Sequence, residues 1–179
     1  MTNQNDHPAI KRYHERMAAN LARATNLKLN ATDLRKMCLE CGADDVGFVE
    51  ITRPALADQQ AEILELFPWT KTLVSFIGRL NRENLRCPAR SIASLELQQV
   101  EARLNKAAQG LAAALERQGI RAATPAAGFP MEMEQMGGKM YVTSHKPIAV
   151  AAGLGKMGLY RNVIHPVFGS FVLLNAVLI

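Results

Sequence analysis

Apolar residues early in the chain return every three to four positions. Ile10, Tyr13, Met17, Leu21 and Ala24 form one such stripe, the spacing of one face of an α-helix, with Pro8 suited to its first turn. A second stripe of Leu34, Met37, Cys38 and Cys41 predicts another helix, which Asn30 or Thr32 can cap and Gly42 can stop. The period then changes. Residues 46–51 (VGFVEI) read as a strand entered through Ala43, Asp44 and Asp45, and 56–66 reads as helical. Residues 72–78 (TLVSFIG) form the nearly continuous apolar run of a buried strand.

Residues 79–90 are polar, contain Cys87 and Pro88, and predict a loop. After them Leu97, Val100, Leu104, Ala107, Leu111 and Leu115 keep helical spacing over about five turns, with Gly119 at the stop. That helix delivers the chain into a short strand at 120–124. Pro147 opens an Ala-rich segment at 148–152 that reads as a short helix, and 161–165 and 171–179 read as two strands around Pro166 to Ser170. Alternating helices and strands place the chain in the α/β or α+β class, with a sheet covered on at least one face. Residues 1–7 are polar and expected to fray.

The 179 residues are 49% hydrophobic and 21% charged, which excludes collagen-like, low-complexity and fully disordered chains. A chain of this length buries roughly 70% of its unfolded surface, enough for one domain with a sizeable core. Three cysteines without the spacing of a disulfide framework, together with eight methionines, suit a reducing compartment, so a cytoplasmic location is expected. The N-terminus lacks the apolar region of a signal peptide, and the run 171–179 is broken by Asn175 and is about half the length of a membrane span. No membrane insertion is expected. The sequence stops within that apolar run with no polar exit, which suggests a piece of a longer protein. A hydrophobic edge left by a missing portion would favour a homodimer.

Charge adds one asymmetry. The net +5 is spread along the chain in short pairs such as Lys11 and Arg12, a weak footing for nucleic-acid binding. After Glu134, however, there is no acid, while Lys139, His145, Lys146, Lys156, Arg161 and His165 all follow. Such a stretch suits an anionic ligand, for example a phosphate-bearing cofactor, and equally suits a buried apolar C-terminal sheet.

Residues 153–158 (GLGKMG) match G-x-G-x-x-G literally, but a dinucleotide site requires a strand before and an acid about 20 residues after, and neither is present. Three glycines in six residues still allow a tight turn with exposed N–H groups. Cys38 and Cys41 form a C-x-x-C, compatible with redox chemistry or half a metal site. Both lie on the apolar face of their helix and no second pair completes four ligands, so core packing is the stronger reading and no metal ligand is assigned. The methionines at 131, 133 and 136 suit a core gap better than a pocket wall. His145, set between Ser144 and Lys146, is the best candidate for a general acid or ligand, with a hydrogen-bonded loop histidine as the equal alternative. His165, before Pro166, reads as structural. No Ser-His-Asp, paired-carboxylate or P-loop arrangement can be assembled.

Taken together, residues 144–158 (SHKPIAVAAGLGKMG), residues 165–170 (HPVFGS) and a closing strand resemble the core signature of the epoxyqueuosine reductase family, shared with reductive-dehalogenase-like iron–sulfur proteins. Residues 41–48 (CGADDVGF) are similar to that family's first helix-to-strand junction. The resemblance implies an α+β domain, a nitroreductase-like sandwich with a mixed sheet covered by helices. It implies a cobalamin-binding domain over 31–179, with 1–30 as an N-terminal helical extension and two [4Fe-4S] clusters in a C-terminal domain beyond this chain. A modified tRNA or a small molecule would be the substrate. The cofactor-binding residues it implies are Ser144, His145, Lys146, Gly153, Leu154, Gly155, Gly158, Phe168 and Gly169. Epoxyqueuosine-reducing members carry an Asp proton donor a few residues before the counterpart of Pro147, whereas residues 141–145 (YVTSH) contain no acid. Either His145 or Tyr141 takes that catalytic role, or the chemistry differs.

The first reading is therefore the corrinoid-binding portion of an iron–sulfur-dependent reductase, an oxidoreductase only in the context of a longer chain. The alternatives are a non-catalytic corrinoid- or flavin-binding module, with FMN as the flavin, and an interaction domain that has lost its cofactor.

Overall fold

The computed structural model describes residues 29–125 and 143–179, together with Pro8, Lys11, Arg12 and Glu15, which are helical. The rest of the helix expected over 8–24, the methionine-rich segment and Tyr141 lie outside the described residues. Asn30 starts the first described helix, its side-chain oxygen accepting the Thr32 N–H at 2.8 Å, so Asn30 rather than Thr32 is the cap of α1 (Ala31–Glu40). Leu34 and Cys38 face inward from it, and Gly42, at φ 112°, turns the chain out.

The chain continues through β1 (Asp45–Glu50), a 3-10 turn (Pro54–Leu56), α2 (Ala57–Leu66) and β2 (Thr72–Arg79). The segment expected as a loop after β2 contains a short helix, α3 (Arg82–Arg86), whose cap Asn81 accepts the Glu83 N–H at 3.0 Å. The long helix α4 (Arg90–Arg117) has 28 residues and so extends about 42 Å. Then come α5 (His145–Ala151), a two-stranded hairpin of β3 (Lys156–Met157) and β4 (Val163–Ile164), and β5 (Val172–Leu178). Residues 120–124 make a single bridge, Ala123 to Leu178, rather than a strand.

The main sheet has the order β1-β2-β5, with Phe48 opposite Val74 and Ser75 opposite Ala176. Among the described residues both pairings are antiparallel, where a mixed sheet was expected, because each connection brings the chain back along its neighbour in the opposite direction. The α+β class stands. Period-two alternation separates the two faces of the sheet. Val74, Phe76 and Val177 pack under α1 and α4 with Leu34, Cys38, Leu104 and Leu111. Leu73, Ala176 and Leu178 pack on the other side with Leu56, Ile63 and Ile148. β2 is covered on both faces, which is why its sequence runs apolar without alternation. A Cβ at Gly78 would lie 2.8 Å from Leu104 Cγ, so that glycine lets α4 settle onto the sheet. No described helix is long and apolar enough to cross a membrane.

Candidate functional site

The signature segment begins at a fixed point. The Ser144 N–H donates to Gln59 Oε1 at 2.8 Å and the Gln59 amide donates back to the Ser144 carbonyl at 3.4 Å, so α2 holds the start of α5. His145 is the first residue of α5 and is half-buried. Lys146 is exposed and its Nζ donates to Asn162 Oδ1 at 3.2 Å. Pro147 sits in the first turn, where a missing N–H interrupts no helical bond. Ile148 and Ala149 are fully buried against the sheet.

Gly153 ends the helix at φ 80°, its N–H donating to the Val150 carbonyl while the Leu154 N–H reaches the Ala149 carbonyl, both at 3.0 Å. This is a helix C-cap, which needs glycine for its backbone conformation. Gly155 and Gly158 serve a different purpose. A Cβ at Gly155 would lie 2.5 Å from the Ile164 carbonyl oxygen, and one at Gly158 would lie 2.8 Å from Ile164 Cδ1. The space beside both glycines is filled by β4. The turn leads into a hairpin strand and not a helix, so the literal G-x-G-x-x-G is no dinucleotide loop.

The hairpin joins the candidate residues. Asn162 takes the Lys146 ammonium on its side chain and the Gly158 N–H on its carbonyl, the latter at 2.8 Å. Leu154, Val163, Ala149 and Phe168 share one apolar cluster. Gly169, at φ 64°, exchanges backbone hydrogen bonds with His165 at 2.9 Å in both directions. The structure thus gathers Lys146, Leu154, Gly155, Gly158, Phe168 and Gly169 around the hairpin and ties Ser144 to α2 instead. Beyond this cluster the hairpin and the loop after it carry apolar side chains into solvent. Leu159 is 100% exposed, Tyr160 92% and Val167 71%.

Two groups of polar residues have partners that the sequence does not announce, His165, which reads as structural and is so, and a set of arginines. His165 is buried, with Nε2 3.0 Å from Asp45 Oδ2 and Nδ1 accepting the Val167 and Phe168 N–H groups at 3.2 Å each. Asp45 also binds Arg35 of α1 and the Val46 amide. Burial pushes the Asp45 carboxyl up, and the bonds from His165, Val46 and Arg35 together outweigh it, holding the group below its ordinary value. The His165 ring stacks on Phe168 at 4.7 Å between centroids. The second group is Arg79, Arg82 and Arg86, whose guanidinium carbons lie over the Phe168 and Phe171 rings. For both, the only signals in the sequence were a histidine before proline and an Arg pair four residues apart.

The C-x-x-C pair packs as its periodicity predicts. Burial pushes the Cys38 thiol up to about 12 and also raises Cys41, opposite to the shift that makes a reactive thiolate. Among the described residues no group of three or more His, Cys, Asp or Glu is arranged to hold a metal ion. These residues do not fit an iron–sulfur cluster. The same region presents exposed apolar side chains beside the cations Lys146, Lys156 and Arg161, a chemistry compatible with the apolar ring and anionic tail of a corrinoid. The depression lined by Asn105, Lys106 and Gln109 of α4 together with Thr124 includes none of the candidate residues.

Comparison with known proteins places the fold. The chain superimposes on an epoxyqueuosine reductase solved with an epoxyqueuosine-modified tRNA stem loop at a TM-score of 0.51 and 15% identity, covering 82% of this chain and 44% of that one. It also superimposes on a reductive dehalogenase whose structure suggested a mechanism for B12-dependent dehalogenation, at a TM-score of 0.59 and 16% identity. That match covers 92% of this chain and 23% of the dehalogenase. The chain therefore spans less than half the length of either structure. No family model matches the sequence, and no curated protein matches it.

Proposed function

We propose that residues 31–179 form the corrinoid-binding portion of an iron–sulfur-dependent reductase of the epoxyqueuosine reductase kind, with residues 1–30 as a helical extension and a cytoplasmic site of action. The observation that carries this reading is the fold likeness over 82% and 92% of a chain that also bears the 144–158 signature. The substrate in this reading is a modified tRNA or a small molecule. Clusters would belong to a part of the protein other than the described residues.

A bound corrinoid supplies the cobalt centre at which a reductive step takes place. This chain's residues supply position. Gly153 and Leu154 set the turn, Gly155 and Gly158 let β4 close against it, and Phe168 and Gly169 shape the neighbouring loop. Lys146, anchored by Asn162, provides a cation at the start of α5. Ser144 aligns that helix through Gln59, and His145, the first residue of α5, is assigned the proton. Tyr141 is the second candidate for that role.

The test is a visible absorption titration of the chain with hydroxocobalamin and, separately, with FMN. A saturable shift with hydroxocobalamin that weakens in Lys146→Glu supports the reading, because Lys146 is exposed and its loss leaves the core intact. A shift with FMN alone reassigns the cofactor, and no shift with either leaves an interaction domain. Gly155 is unsuitable as the test position, since its side-chain space is occupied by Ile164.

A second reading is favoured by one observation, that residues 141–145 contain no carboxylate. In it the domain binds a corrinoid without catalysing a reaction. Substrate turnover by a cluster-loaded full-length protein would rule this out.

A further inference from the structure

We propose that Arg79, Arg82 and Arg86, gathered over the rings of Phe168 and Phe171, form a binding site for a phosphate ester. The placement is set by the backbone. Arg79 ends β2, and two residues later Asn81 caps α3. Glu96 of α4 fixes that helix, with Oε1 accepting the Asn81 N–H and Oε2 the Asn84 side-chain amide, each at 2.7 Å. Arg82 and Arg86 are one helical turn apart and so share a face of α3. Their guanidinium carbons lie 5.2 and 5.6 Å from the centroid of the Phe171 ring, and that of Arg79 lies 5.9 Å from the centroid of Phe168. Arg82 also donates to the Phe168 carbonyl at 3.4 Å.

Among the described residues, the carboxylates near this group form no ion pair with it. Asp44 Oδ2 accepts the Arg79 backbone N–H at 2.6 Å and the Arg103 guanidinium at 2.7 Å. Glu96 is taken by Asn81 and Asn84, and Glu83, although three residues before Arg86 on α3, forms no ion pair with it. Among the described residues, none of the three arginines forms an ion pair. All three are exposed, and no acid occurs in the sequence after Glu134. Three like charges held together against the single carboxylate of Glu83 leave a positive local potential that favours an anion.

The chemistry of the anion is set by how the arginines are held. A guanidinium stacked on a ring spends its face on the ring and keeps its in-plane N–H donors, which match pairs of phosphate oxygens. Phe168 already stacks on His165 and carries Arg79, and Phe171 carries Arg82 and Arg86, so the rings hold the guanidinium groups in place and leave the phosphate as the part of the ligand that is recognised. The ligand is thus a phosphate ester, and its source is either a free mononucleotide or a single strand of nucleic acid.

The experiment uses the full chain and three probes at low salt. Calorimetric titrations with AMP and with adenosine are paired with anisotropy of a fluorescein-labelled eight-nucleotide RNA. AMP binding without adenosine binding supports the site, and so does RNA binding that falls with salt. If RNA binds and AMP does not, the source is a nucleic acid strand. If AMP binds as tightly as the RNA, the source is the free nucleotide. R82A/R86A should weaken the bound probe by about ten-fold or more, with R82K/R86K in between because lysine keeps the charge and loses the bidentate fork. Failure of both phosphate probes overturns the proposal. So does equal binding of adenosine and AMP, or unchanged affinity in R82A/R86A with the thermal midpoint preserved. The corrinoid titration is unaffected by any of these outcomes.

Discussion

His165 and Asp45, 120 residues apart in sequence, meet side chain to side chain with Nε2 3.0 Å from Oδ2. The other ring nitrogen accepts two backbone N–H groups, so Nε2 is the nitrogen that donates to the carboxylate. One buried ring thereby fastens the 165–169 loop to the first strand of the sheet, while Arg35 fastens the same carboxylate to α1. The loop that bears Phe168 and Gly169 owes its position to this junction.

Replacing His165 by Ala removes partners from a carboxylate and two amides at once. The expected loss is about 2–4 kcal/mol of unfolding free energy, since each group is left unsatisfied in a partly dry environment. Urea unfolding of the variant and the parent chain measures it. An unchanged midpoint would mean that the loop is held by its apolar contacts alone.

Asp45 makes the junction sensitive to acid. Its folded value lies below the ordinary 3.8, so its contribution is full above the unfolded value and is lost as pH falls through the folded one. Stability of the parent chain should therefore drop below about pH 4 more steeply than that of Asp45→Asn, which should be the less stable protein at pH 7. Urea midpoints between pH 7 and pH 3 for both chains check the sign. Parallel curves would contradict it.

How much of this was legible in the sequence depended on the distance over which each contact acts. The continuous run in β2, the stripe along α4 and the stops at Gly42 and Gly119 rest on neighbours a few residues away, and the structure has them where the spacing puts them. Helix α3 was missed because five residues are too few to show a period, although Asn81 and the Arg82/Arg86 spacing marked it. The hairpin was half seen. Val163 and Ile164 read as strand, but their partners Lys156 and Met157 sit among glycines whose role shows only when Ile164 is placed against them. The contacts of Asp45 with His165, and of Arg79 with Phe168, join segments far apart in sequence, and no local pattern announces them.

The glycines of the signature separate conformation from crowding. Gly153→Ala places a side chain at φ 80° in open space, a backbone strain of about 1–2 kcal/mol. Gly155→Ala must push its Cβ away from a backbone carbonyl 2.5 Å distant, so the hairpin has to shift and the loss should be larger. Thermal midpoints of the two variants, without any ligand, rank them. Equal or reversed losses would show that β4 gives way easily.

Leu159 and Tyr160 offer the sharpest test of what the hairpin is for. At 100% and 92% exposure they contribute nothing to the core, so Leu159→Ser with Tyr160→Ser should change unfolding free energy by no more than about 0.5 kcal/mol. Single exposed apolar residues are ordinary on a protein surface, but here Leu159, Tyr160 and Ile164 are exposed on one hairpin and Val167 on the loop that follows it, beside Lys156 and Arg161. If that surface covers a bound macrocycle, the double variant should fold as the parent does and yet bind hydroxocobalamin at least about ten-fold more weakly, the loss of two apolar contacts of the usual size. Absorption titration beside a urea curve separates the two quantities. Unchanged affinity with unchanged stability would remove the hairpin tip from the cofactor site and leave α5 and the 165–169 loop as its walls.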